Sequence, residues 1–277
     1  MRIIVWLFLW VSLGRAQSVV DWVVSDFAVL MNTHGEISFA PYVHGDYEKF
    51  PVNPGYRSDF KAYVDFFSWK GLVSNWLIAN TTIIERDPHT SLRLDKIRYT
   101  LTPGYRYEFE EHLISGLLLH ECMHTISKPE ENGAIWWNAF QFGFGSKSAY
   151  PLYLVNKYRS NATSFTPSFD YQVNVGAFLH GEKSIWIGQN HDYRYETFYL
   201  LRMHLAHWGV WGLYTDWNHH IWQDKNQNHE HKMDVSVHLL LRGRQNLAAL
   251  YYQYFVYDSF QPDNQDGLGA VGFKIVF

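Results

Sequence analysis

At 277 residues the chain is long enough for one large domain or two small ones, and a formal charge of −4 with a pI near 6.4 excludes a general nucleic-acid surface. Aromatic residues make up 18% of it while the mean hydropathy is −0.25, so rings are plentiful in a chain that is not hydrophobic on average. Cys122 is the single cysteine, which excludes an intramolecular disulfide framework.

Met1-Arg2, the apolar run Ile3 to Leu13, and Gly14 to Ala16 predict a secretory signal over 1–16. That run is too short to span a bilayer, and no later segment offers ~18 uninterrupted apolar residues, which argues against helical spans. Val19, Val20, Val23, Phe27, Leu30 and Met31 recur at three- and four-residue spacing. They predict a short amphipathic helix over Val19 to Asn32, in a periplasmic or surface segment 17–34, with a first strand as the rival reading.

From Gly35 the period changes to two. Ile37, Phe39, Pro41 and Val43 share one face, opposite Glu36 and Ser38. Phe60, Ala62, Val64 and Phe66 stand opposite Lys61, Tyr63 and Asp65, and Ile97, Tyr99, Leu101, Tyr105 and Tyr107 stand opposite Arg98, Thr100 and Arg106. The pattern recurs in Phe169 to His180, Tyr193 to Ala206, Trp211 to Ile221 and Met233 to Arg242. Leu72 to Ile84 and Asn246 to Asp258 are apolar on both faces, so their register is weakly specified. Short turns at Trp69 to Gly71, Phe109 to His112, His207 to Gly209 and Gly243 to Asn246 alternate with longer connections, and roughly twelve strands result. Lys147 to Ser168 is the misfit, a long connection on the short-turn side that suits a small helix or a further hairpin.

The final stretch, Leu268 to Phe277, alternates Val271, Phe273, Ile275 and Phe277 against Gly272 and Lys274. It resembles the C-terminal signature of Gram-negative outer-membrane β-barrels, an aromatic last residue preceded by alternating hydrophobics. That resemblance implies an all-β antiparallel transmembrane barrel over 35–277 in the cell outer membrane, with aromatic girdles, surrounded by outer-membrane lipids and inserted by the barrel-assembly machinery. A soluble β-sandwich also alternates, but strands of ~10 to 14 residues suit a tilted bilayer crossing better.

Leu117 to Thr125 contains His120-Glu121-x-x-His124. On a helix the two imidazoles would share one face and bind zinc, with Glu121 as general base, in the manner of a secreted zinc metallopeptidase. On a strand, which the strand count requires, His120, Cys122 and His124 share a face and an imidazole can activate the thiol. The His120-x-Cys122 spacing is similar to the His-x-Ser pair of outer-membrane phospholipases and lipid A deacylases, with cysteine in place of serine, and Asn138 is the orienting partner that this reading suggests. Either face of the segment could be the outer one, because Ile114, Gly116 and Leu118 lie with the histidines and Leu117, Leu119 and Met123 lie opposite.

On the expected lumen face, Lys61, Asp65, Arg98, Arg106, Arg194, Glu196, Arg202, Asp216 and Asp234 carry both signs, and the same face holds Asp170 and Arg242. Mutual pairing that closes the interior is the expected arrangement, since unpaired charges are costly to desolvate. The functions consistent with this reading are a lipid-acting hydrolase with a His/Cys site at the outer end, a purely structural barrel, and a narrow solute channel.

Overall fold

The computed structural model describes residues 27–45, 54–85, 93–125, 134–159, 166–179, 193–260 and 265–277. Twelve strands and one α-helix follow in chain order among these residues: β1 (Phe27–His44), β2 (Pro54–Trp69), β3 (Leu72–Glu85), β4 (Arg93–Phe109), β5 (His112–Thr125), β6 (Ala134–Ser146), α1 (Pro151–Arg159), β7 (Ser168–Phe178), β8 (Tyr193–Trp208), β9 (Trp211–Asp224), β10 (His229–Arg242), β11 (Leu247–Asp258) and β12 (Gly269–Val276). Every strand pairs antiparallel with its sequence neighbour, and β1 pairs with β12 through Ile37↔Ile275 and Phe39↔Phe273. The sheet is therefore a closed barrel with no free edge, which is the all-β architecture that the two-residue rhythm implied.

The alternation sorts residues by face. Outward side chains are apolar and open, among them Phe39 at 45%, Phe142 at 55%, Phe140 at 61% and Leu250 at 63% exposure. Inward side chains are ionic and buried, with Asp65, Arg106, Arg202 and Asp216 all at 5% or less. Around a closed sheet such an outer surface far exceeds what a soluble monomer exposes, and hydrocarbon is the solvent that suits it.

One end of the barrel carries short turns, at residues 70–71, 110–111, 209–210 and 243–246, and the other end carries the longer connections. At the first of these turns Lys70 and Gly71 both have positive φ, 48° and 83°, the mirror-image turn whose twist matches the flanking strands. The long-loop end is taken as the outer end, following the usual polarity of such barrels.

The exception at the short-turn end is the connection from β6 to β7. It holds a 3-10 turn at Lys147–Ala149 and then α1, which starts at Pro151, where the missing N–H would have no partner anyway. Leu154, Val155 and Tyr158 form its buried face and pack on Tyr214, Leu240, Leu247, Ala249 and Val276, all inward residues of β9 to β12. Tyr150, just before the helix, joins Tyr63, Leu77, Leu113 and Leu200. The described part of the connection, residues 147–159, thus folds up into the lumen at the short-turn end.

Arg202 and Arg242 tie the plug to the wall, donating to the carbonyls of Ser148 and Tyr158 at 3.3 Å each. Gly212 leaves room for it, since a Cβ there would lie 2.5 Å from the Tyr158 ring. The plug also explains β3 and β11. Leu77, Leu247 and Ala249 are apolar on the lumen face because plug residues, not water, lie against them.

Two expectations are corrected. Residues Phe27 to Asn32 belong to β1, so the amphipathic helix expected over Val19 to Asn32 does not include them, and the strand begins eight residues before Gly35. The pattern 27-30-31 mimics a helical stripe, but pairing of Phe27 to Val29 with Phe67 to Trp69 satisfies the backbone. The rest of that segment and the signal expected over 1–16 lie outside the described residues. The second correction is at the start of β8, where a register shift between Tyr193 and Tyr195 breaks the alternation. Tyr193 turns inward onto Met123, Trp137, Trp222 and Phe260, and Arg194 is exposed at the rim instead of joining the buried lumen charges.

Candidate functional site at the outer end of β5

β5 runs from the short-turn end at His112 to the long-loop end at Thr125, so its last residues lie at the outer rim. Register decides which way they point. Leu113, Ser115, Leu119, Glu121 and Met123 are buried inward, and Glu121 accepts hydrogen bonds from Arg98 at 2.6 Å and from Thr100 at 3.2 Å across the lumen face of β4. The opposite set, Leu118, His120, Cys122 and His124, therefore faces the lipid side. The face that the sequence left open is thus settled, and the histidines share it with the thiol.

Two pairs form there. His120 Nδ1 lies 2.7 Å from Asn138 Oδ1, directly across the β5–β6 pairing, so with the amide oxygen as acceptor the ring donates from Nδ1 and presents Nε2 as a base. Cys122 Sγ lies 3.0 Å from His124 Nε2. Tyr99, opposite Cys122 in the β4–β5 register, stacks on the His124 ring at 5.8 Å and places its hydroxyl 3.4 Å from the same Nε2. Cys122 itself is 0% exposed.

The arrangement is a thiol with an adjacent imidazole, and beside it a second imidazole held in orientation by an amide. A thiol of this kind becomes a nucleophile by passing its proton to the ring, since the thiolate is the reactive form. All four sequence-chosen residues come together on one face, but the thiol's hydrogen bond is to His124, whereas the His-x-Cys spacing suggested His120. Tyr99 was missed. It precedes Cys122 by 23 positions, and only antiparallel register brings the two opposite each other.

The zinc alternative is overturned. It needs His120 and His124 one helical turn apart, and β5 is a strand, on which four residues span ~13 Å. Glu121 points to the other face, at Arg98. Among the described residues no three His, Cys, Asp or Glu side chains converge in a way that could hold a metal ion.

Among the expected lumen charges, Arg106, Arg202, Glu196 and Asp170 meet groups of opposite sign, Asp234 and Lys61 have neutral neighbours in amides and a ring, and Arg194 stands exposed at the rim. Arg106 grips Asp65 with both terminal nitrogens and Glu108 with Nε at 2.7 Å. Arg202 holds Asp216 at 2.7 and 2.8 Å. His220 reaches Glu196 at 3.1 Å, and Asp234 accepts from Asn218 at 3.0 Å and Gln253 at 2.8 Å. Lys61 lies 5.5 Å over the Tyr63 ring. Asp170 accepts from Lys157 of α1 at 3.0 Å and from His204 at 2.6 Å, while His204 Nδ1 lies 2.8 Å from the Tyr158 hydroxyl.

A closed twelve-stranded antiparallel barrel with an apolar exterior and an ionic interior is an outer-membrane β-barrel, and the cell outer membrane is where such a chain resides. No family model matches the chain, and no curated protein is similar to it. Among solved structures, the outer membrane phospholipase A of Escherichia coli aligns over 90% of this chain and 91% of its own, at 11% identity and a TM-score of 0.49. A calcium-bound dimer of the Salmonella typhi outer membrane phospholipase aligns over 90% and 92%, at 10% identity and 0.47. OmpT, an outer membrane protein of Vibrio cholerae, in a loop-deleted form, aligns over 91% and 99% at 7% and 0.40. Nothing about this chain's chemistry follows from likeness at that level.

Proposed function

We propose that the protein is an outer-membrane acyl hydrolase with a closed lumen, whose nucleophile is Cys122 on the lipid-facing side of the outer rim. The observation that supports this reading is the register of β5, in which His120, Cys122, His124 and the partner Asn138 share the face opposite Glu121 and Met123 near the long-loop end of the strand. Signal 1–16 exports the chain, the barrel-assembly machinery inserts it, and outer-membrane lipids are the substrates.

In the reaction, the Cys122 thiol passes its proton to His124 and attacks an ester carbonyl of a lipid. The tetrahedral intermediate expels the alcohol, which takes the proton from the imidazolium, and a thioester remains. Water, deprotonated by an imidazole, then releases the fatty acid and restores the thiol. His120, oriented by Asn138, is the second available base. Because the thiol is fully buried, a neighbouring side chain must turn aside for substrate to reach it.

That coverage also favours a second reading, a purely structural barrel. One experiment separates the two: fatty-acid release from outer-membrane lipids by the refolded protein. Release that is lost in Cys122→Ala and retained in part in Cys122→Ser supports the hydrolase. Release that is absent, or unchanged in Cys122→Ala, removes it.

A further inference from the structure

In the long-loop half of the lumen lies a cavity of about 260 Å³, lined among the described residues by Arg57, Arg98, Lys232, Asp234, Asn218 and Gln253, with Thr81 and ring neighbours that include His220. That is room for about nine waters, and it lies below the ~300 to 1,000 Å³ typical of pockets for drug-sized ligands. The side chains come from β2, β4, β9, β10 and β11, so the closed wall presents them from several sides to one space. Toward the short-turn end the lumen holds α1 and the Arg106–Asp65 and Arg202–Asp216 pairs. A lumen plugged at that end holds what enters the cavity and does not pass it on.

The charge is arranged asymmetrically. Arg57, Arg98 and Lys232 each rest against a carboxylate, Asp59 at 2.8 Å, Glu121 at 2.6 Å and Asp258 at 3.1 Å. None of those three carboxylates lines the cavity, whereas all three cations do. Each cation is thus paired with a carboxylate outside the lining while itself lining the space, Arg57 donating also to Gln265 at 3.0 Å, and low-dielectric walls concentrate the field of these groups there. Two of the three are guanidinium groups, whose planar fork matches a carboxylate or phosphate. Among the described residues Asp234 is the single carboxylate of the lining, and two amides donate to its Oδ1. A carboxylate fixed by neutral donors is a hydrogen-bond acceptor for hydroxyl groups.

We infer that this vestibule is a binding site for a small hydroxylated anion of sugar-acid type, its anionic group on Arg57, Arg98 and Lys232 and a hydroxyl donating to Asp234. The inference is independent of the chemistry at Cys122, which lies on the other face of the wall.

The test is titration of the folded full-length protein in detergent with D-gluconate at low ionic strength, followed by calorimetry, against sorbitol and hexanoate as probes that lack the charge and the hydroxyls respectively. Saturable gluconate binding, with both comparison probes at least tenfold weaker, is the expected result. Arg57→Gln/Lys232→Gln should weaken gluconate tenfold or more, and Asp234→Asn should narrow its advantage over hexanoate. Absence of saturation by gluconate overturns the inference, as does sorbitol binding equally well, or gluconate affinity unchanged in a folded Arg57→Gln/Lys232→Gln variant. The comparison of probes on the unaltered protein decides the matter even where a variant does not fold.

Discussion

The plug is the feature whose removal has the most distinct consequence. Tyr158 is 2% exposed, its ring lies against His204, His207 and the Gly212 backbone, and its hydroxyl donates to a His204 that in turn donates to Asp170. Tyr158→Ala deletes a fully buried ring, a change worth about 3 to 5 kcal/mol in a packed core. At about 1.4 kcal/mol per tenfold, even the lower figure raises the undocked population of α1 by about two orders of magnitude. Leu154 and Val155 remain seated and contribute about 1.5 to 3 kcal/mol each, so α1 stays docked most of the time and leaves more often. Tyr158→Phe keeps the ring and loses one hydrogen bond, about 1 kcal/mol, and should shift the population only severalfold. In planar bilayers the unaltered protein should be silent, Tyr158→Ala should show brief openings, and Tyr158→Phe should fall close to the unaltered protein. Protease added to folded protein should cut between Lys147 and Ser168 faster in the same order. A Tyr158→Ala variant that is silent and equally protected would refute the idea that this side chain seals the lumen.

Three further outcomes follow from the same geometry. Gly212→Ala places a methyl 2.5 Å from the Tyr158 ring, an overpacking of about 1 to 3 kcal/mol, and should increase cleavage of the plug connection; equal cleavage would mean that the ring does not rest there. Arg106→Met strands the buried Asp65 carboxylate and should cost about 3 to 5 kcal/mol in urea unfolding from vesicles, with much of it recovered in Arg106→Met/Asp65→Leu; a single variant within 1 kcal/mol of the parent would argue against a dry pair. Because Cys122 is fully covered with Tyr99 beside it, maleimide should label the folded barrel slowly and Tyr99→Ala at least tenfold faster, and equal rates would show that Tyr99 is not the cover.

Much of this architecture was legible in the chain itself. A side-chain period of two, sustained from Ile37 to Ile275 with one face apolar, states which residues meet lipid and which meet the lumen, because a strand has only two faces. Alternating short and long connections count the strands for the same elementary reason, since antiparallel neighbours need few residues to turn. The lumen charges were readable as a set, because a buried Asp65 or Arg202 demands a partner of opposite sign.

What the chain could not say by itself was who partners whom, and which way an ambiguous segment faces. Ile114, Gly116 and Leu118 on one face of β5 and Leu117, Leu119 and Met123 on the other are alike apolar, so only the pairing of Glu121 with Arg98 across the lumen turned Cys122 and the histidines outward. The linear alternation at Tyr193 was also misleading, since one bulge moved it inward and left Arg194 at the rim. The apolar inner face of β11 looked like weak register until α1 was seen packed against Leu247 and Ala249. Period and polarity are properties of a single strand and are written in its residues. Register, bulges and a plug arise from contacts between segments far apart in the chain, and the closed sheet alone decides those.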